Sequence, residues 1–303
     1  MRWKGRRQSS NVEDRRGESS GYSAAGSGAG VAMLFRFIPR MLGSKTGRMI
    51  LIVGVVVIIG SRFLGIDLLP LLLGGGSPAI TQSSREPTPE EQQLSQFVAV
   101  VLADTEDTWN AIFKAQGKQY QEPSLILFSG SVNSACGRAS AAVGPFYCPA
   151  DQQVYLDLSF FQDLKNRYSA PGDFAQAYVI AHEVGHHVQT LLGISDKVRQ
   201  AGQGKSQKAV NALSVRQELQ ADCFAGVWGH TAQRQQLLDP GDLEEALIAA
   251  TAIGDDRLQK QAGGQVVPDS FTHGSSEQRV RWFRRGFDSG DTQSCNTFSV
   301  RQL

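Results

Sequence analysis

The sequence predicts a helix-rich α+β domain standing behind one N-terminal transmembrane helix. Three observations carry this. Apolar residues recur at helical spacing over several long stretches beyond residue 94. Two short runs, 124–130 and 153–161, are rich in β-branched and aromatic residues. Residues 49–60 (MILIVGVVVIIG) carry no charge. At 303 residues, 41% hydrophobic and 19% charged, the chain has the composition of a globular protein.

The net charge of +1 hides an asymmetry. Residues 1–48 hold ten basic side chains against three acidic ones, leaving 20 basic and 26 acidic in the remainder, net −6. The first 48 residues read as a basic, largely disordered cytoplasmic arm, with a Gly/Ser-rich stretch at 17–30. Residues 49–73 read as a transmembrane segment: beyond Gly60 the apolar character resumes at Phe63 and in LLPLLL, and Arg62 can snorkel to the headgroups. A bilayer span needs about 20 apolar residues. No small-residue cleavage site follows, which argues against a removed signal peptide. Arg and Lys on its N-terminal flank predict a single pass through the inner (cytoplasmic) membrane, N-terminus inside and the body periplasmic or extracellular. Residues 74–93, rich in Gly, Ser and Pro, read as a linker, and 94–303 as the folded domain. Nucleic acid is not an expected partner, because the acidic body offers phosphates nothing.

Helical spacing opens the domain at LSQFVAVVLADTEDTWNAIFKAQG, with Phe97, Val100, Val101, Ala103, Trp109 and Ile112 as core positions. SLILFSG and QVYLDLSFF read as strands. Asp173 with Gln176 has the form of a capping box opening a helix to about Leu192, and Gly193 is its stop. Further helices are expected at about 207–229 and 242–260. Ser275 and Gln278 form a second capping-box pattern before RVRWFRRGF.

The chemistry lies in AHEVGHHVQ (181–189). His182 and His186 are four residues apart, so both imidazoles leave one helix face and can meet one ion. Glu183 lies about 100° further round, beside that ion, where it can take a proton from water. Apolar flanks at Val179, Ile180 and Val188 oppose a chance match. A catalytic zinc keeps three protein ligands and one open position. Position 192 is leucine, so no third histidine follows in the usual extended motif. Glu218 in RQELQADCFAG is the expected third ligand, and Asp222, on the same face, is expected to reach a ring N–H of a ligand histidine. Asp196 and His230 are the rivals for the third place; His187 points away and reads as structural.

HEVGHHVQ together with RQELQADCFAG resembles the bacterial neutral zinc metallopeptidase family, membrane-anchored and gluzincin-like. The likeness extends to MRWKGRRQSSNVEDRRG, CGRASAAVGPFYCPADQQVYLDLSFF and SFTHGSSEQRVRWFRRGF. It implies a single-pass protein with a zincin-like (minimal gluzincin) catalytic domain and one zinc ion.

His273, in the polar loop FTHGSS, is a candidate donor to the developing oxyanion, and equally fits a surface histidine. The four cysteines, in a domain outside the cytoplasm, predict two disulfides; Cys136–Cys148 closes a short loop and leaves Cys223 with Cys295. Cys223, about 140° from Glu218 on a helix, should miss the metal. The function expected is zinc-dependent hydrolysis of peptide bonds in a peptide or unfolded protein, with Glu183 moving the proton. VYLDL (154–158) is expected to be the sheet edge to which substrate adds as a strand. The competing readings are a non-catalytic, zinc-stabilised extracytoplasmic binding domain, which would need no Glu183, and a membrane-tethered nucleic-acid binder resting only on the basic arm.

Overall fold

A computed structural model describes residues 1–18 and 87–303, which form one compact unit. The expected transmembrane segment 49–73, and the linker up to residue 86, lie outside the described residues. Among the described residues no helix is long and apolar enough to cross a membrane. The chain runs β1 (Val12–Asp14), α1 (Pro89–Ala115), β2 (Ser124–Phe128), β3 (Ser131–Ser134), β4 (Gly137–Ser140), β5 (Phe146–Cys148) and β6 (Gln153–Asp157). There follow α2 (Ser159–Asn166), α3 (Asp173–Leu191), α4 (Ile194–Gly202), α5 (Gln207–Arg234), α6 (Asp242–Ala252), α7 (Asp255–Gln261) and α8 (Ser276–Ser289).

The expectation of a disordered basic arm fails for residues 1–18. Val12 to Asp14 pair in parallel with Leu125 to Leu127, so β1 is the outer strand of the sheet. Trp3 packs edge-on against Phe97, with centroids 5.5 Å apart. Arg7, Ser9 and Asn11 all bond the carboxylate of Glu106, which is buried in α1. These cations and polar groups pair with specific carboxylates, so composition alone misread them.

α1 starts earlier than expected. Thr88 and Glu91 form a capping box with Pro89 in the first turn, so five residues assigned to the linker are helical. Phe97, Val100, Val101, Ala103 and Trp109 are buried as expected; Ile112 only flanks the core, and Phe113 enters it instead.

The four-stranded sheet has the order β1-β2-β6-β5, with β5 antiparallel to β6 and the other pairs parallel. β6 is therefore internal, paired on both sides, and the expectation that VYLDL forms the free edge is wrong; the edge beside the active helix is β5. The strand also ends sooner: the Asp157 carboxylate accepts the Ser159 N–H at 2.9 Å, and Ser159–Phe161 turn into α2. β3 and β4 form a separate hairpin.

α3 has its expected span, but Gly172 is its N-cap and the Asp173 box does not form. The Asp173 carboxylate instead lies 3.0 Å from the Met1 amino group, and Glu245 accepts the Phe174 N–H. Gly193, at φ 70°, ends the helix in the left-handed conformation. The expected helix 242–260 is broken at Gly254 into α6 and α7. The Ser275–Gln278 capping box does form. Both disulfides, Cys136–Cys148 and Cys223–Cys295, pair as expected.

Candidate functional site

α3 is apolar nearly all round and is buried between α1, α5, α6 and the sheet, so its few polar side chains sit in the interior. Gly185, between the two histidines, permits the closest approach to α5: a Cβ there would stand 2.9 Å from the Ala221 carbonyl oxygen. This contact brings Glu218 up to the histidine face. His182 Nε2 is 3.2 Å from Glu218 Oε2, and His186 Nε2 is 3.5 Å from Glu218 Oε1. All three donor groups lie within 4.8 Å of one another. Ligands held about 2.0–2.1 Å from one tetrahedral ion stand roughly 3.3 Å apart, so the set fits a single zinc-sized ion. The rivals are placed elsewhere: Asp196 pairs with Arg199, and His230 Nδ1 lies 2.7 Å from the Phe287 carbonyl. Cys223 is in its disulfide.

Both candidate ligand histidines are oriented from behind. Asp222 Oδ1 is 2.8 Å from His182 Nδ1, as the same-face argument expected. That carboxylate also accepts from the Tyr178 hydroxyl at 2.5 Å and from Arg279 Nε and Nη2, each at 2.9 Å. Tyr178, Asp222 and Arg279 are all buried. On the other side, His186 Nδ1 meets Gln189 Oε1 at 2.9 Å. Each contact leaves Nε2 free to face Glu218.

The electrostatics favour a cation. Burial opposes charge on His182, but Asp222 and Glu218 outweigh it and push that imidazole up to about 10. Burial likewise opposes charge on Glu218, yet His186 and His182 hold it well below the usual carboxylate range. Asp222 is held low against burial, chiefly by Arg279 and His182.

Glu183 is buried, and it opens with His182, His186, Glu218 and His273 onto a cleft of about 1070 Å³. Phe146 and Tyr147 of β5 and Phe160 of α2 also line the cleft. His187 points away from the cleft, as expected: Nε2 donates to the Gln121 carbonyl at 2.6 Å, and Nδ1 accepts from Tyr147 at 3.1 Å, tying β5 to α3. His273 reaches the cleft half-exposed, and its Nδ1 stands 3.1 Å from Asp255 Oδ1.

Sequence reasoning missed Arg279, Tyr178, Gln189 and Asp255. A signal existed for Arg279: positions 279, 282, 283, 286 and 287 form the buried stripe of α8, and an arginine on such a stripe needs a buried partner. Nothing local marks Asp255, whose partner lies 18 residues away.

The chain is 56% identical over 298 residues to "Uncharacterized protein YpfJ" of Escherichia coli (strain K12), covering 98% of this chain and 99% of that protein. It is 43% identical over 220 residues to "Uncharacterized protein Rv2575" of Mycobacterium tuberculosis (strain ATCC 25618 / H37Rv), covering 69% of this chain and 73% of that protein. No solved structure matches it. The family model described as "Putative neutral zinc metallopeptidase" matches residues 1–298, and the chain belongs to that family.

Proposed function

We propose that this chain is a membrane-anchored, zinc-dependent endopeptidase with a zincin-like catalytic domain outside the cytoplasm. The observation that carries the reading is the donor set: two imidazole nitrogens and one carboxylate, spaced for one ion, with a further carboxylate, Glu183, on the same open cleft. A structural zinc site is closed by four ligands and has no use for such a neighbour. His182, His186 and Glu218 would hold one zinc ion. When bound, zinc supplies Lewis acidity, polarising the scissile carbonyl and making water a nucleophile at neutral pH.

The remaining steps belong to the chain's own residues. Glu183 takes the proton from the attacking water and delivers it to the leaving amine. His273, held by Asp255, donates to the carbonyl oxygen as charge develops there. The exposed edge of β5 gives an extended peptide a strand to add to, and Phe146 and Phe160 offer its side chains an apolar wall. Two disulfides support a domain outside the cytoplasm, since such bonds persist in oxidising compartments. Membrane attachment rests on the apolar run 49–60.

The test uses the purified full chain and its Glu183→Gln variant. Zinc content and hydrolysis of casein are measured for both. The expected result is one zinc in each and a loss of activity in the variant of about 10²- to 10⁴-fold. A wild-type protein that holds zinc yet cleaves nothing in a broad peptide set would show the site to be structural.

A further inference from the structure

The two ligand histidines are oriented by different chemistry, and the difference leads out of the site. His182 is backed by a carboxylate, but His186 is backed by an amide. Gln189 is fully buried and uses every polar atom: Oε1 faces His186 Nδ1 at 2.9 Å, while Nε2 donates to the Gln217 carbonyl at 2.7 Å and to Gln220 Oε1 at 3.1 Å. Gln220, also buried, donates through Nε2 to the Cys295 carbonyl at 3.0 Å. Cys295 is covalently joined to Cys223 on α5.

The direction of every bond in this chain is fixed by its ends. Backbone carbonyls only accept, so both amide nitrogens must point toward Gln217 and Cys295. A flipped Gln189 would set carbonyl oxygen against carbonyl oxygen twice. Its oxygen must therefore face His186, which forces the proton onto His186 Nδ1 and leaves Nε2 bare toward Glu218. We infer that Gln189 is a positioning residue for the metal, fixing the tautomer and ring angle of His186, and that Gln220 and the Cys295 carbonyl hold it in that sense. The Cys295 carbonyl then supports the metal site although Cys295 is not one of its ligands. This rests on His182, His186 and Glu218 being the zinc ligands.

The experiment is chelator competition for zinc with the full chain, comparing wild type with Gln189→Met. Methionine keeps the volume but has no acceptor for His186. Gln189→Met should bind zinc about 10- to 100-fold more weakly, the range typical of lost outer-shell partners. Zinc affinity unchanged in Gln189→Met overturns the positioning role. The ring ¹⁵N spectrum of the zinc-loaded wild type is read beside it, and decides alone if Gln189→Met does not fold: His186 protonated at Nδ1 supports the inference, and protonation at Nε2 overturns it. A wild type that takes up no zinc overturns the metal reading itself, which the wild-type arm shows separately.

Discussion

Asp255 decides what His273 can do. One oxygen of its carboxylate faces His273 Nδ1, and the other accepts the backbone N–H groups of Thr272, His273 and Gly274 at 2.7–3.0 Å. The groups facing this imidazole are Asp255 on α7, Glu218 on α5 and Arg279 on α8. The hydrogen bond to Asp255 raises its pKa above the ordinary value, with Glu218 assisting and burial and Arg279 opposing. A ring whose Nδ1–H is given to Asp255 can donate from Nε2 only when doubly protonated. The raised pKa keeps that form present at higher pH, so activity should fall as pH rises through it, and any stability from the pair is lost in the same direction. In Asp255→Asn the alkaline limb of the kcat/KM profile should move to lower pH, with activity about 10²-fold down and zinc content unchanged. A limb that stays in place would mean another group owns it. At this scale the sequence announces residues whose partners are near in the chain. His182, Glu183 and His186 share one helix turn, and Glu218 and Asp222 another. It hides Asp255 and Arg279, whose meaning depends on groups brought together only by packing.

At the scale of elements, the candidate metal centre depends on α5 lying close against both α3 and α8. Gly286 of α8 is set directly on the Cys223 carbonyl of α5, and a Cβ there would fall onto that oxygen. Two helical turns earlier on the same face of α8, Arg279 meets Asp222. An exposed mid-helix glycine changed to alanine gains about 1 kcal/mol of helix propensity. Here overpacking, typically about 1–3 kcal/mol, works against backbone atoms that cannot rotate away, so the clash should win. Gly286→Ala is expected to lower the melting temperature and, by moving Arg279 off Asp222, to weaken zinc binding; a raised melting temperature with normal zinc affinity would refute this. Helices were legible because caps and periodicity are local, as at Ser275–Gln278 and Gly193. The sheet was legible only in part. β1 and β5 have three residues each, too few to show a period, and their partners are far along the chain. Without β5, VYLDL looked like an edge.

The whole molecule raises a question about sides. Residues 1–18 belong to the same compact unit as 87–303, and the ties are specific. Glu106, about 1% exposed, takes its hydrogen bonds from Arg7, Ser9 and Asn11, and β1 completes the sheet beside β2. Leaving a buried carboxylate without its partners costs roughly 3–5 kcal/mol, so the domain should not give up this segment readily. Both ends of the stretch 19–86 therefore start from one folded unit. A single crossing by residues 49–73 would put those ends on opposite faces of the bilayer and tear the unit apart; attachment without separation keeps it whole. Part of the charge asymmetry that predicted a cytoplasmic arm has partners within the folded unit, since Arg2, Arg7, Arg15 and Arg16 all pair with carboxylates. The measurement is labelling of Lys4→Cys and Lys260→Cys variants, both at exposed positions, with a membrane-impermeant maleimide before and after the membrane is opened. Equal labelling from the same side is the expected outcome. If the two label only from opposite sides, residues 1–18 do not pack on the domain in the membrane, and the single-pass arrangement holds.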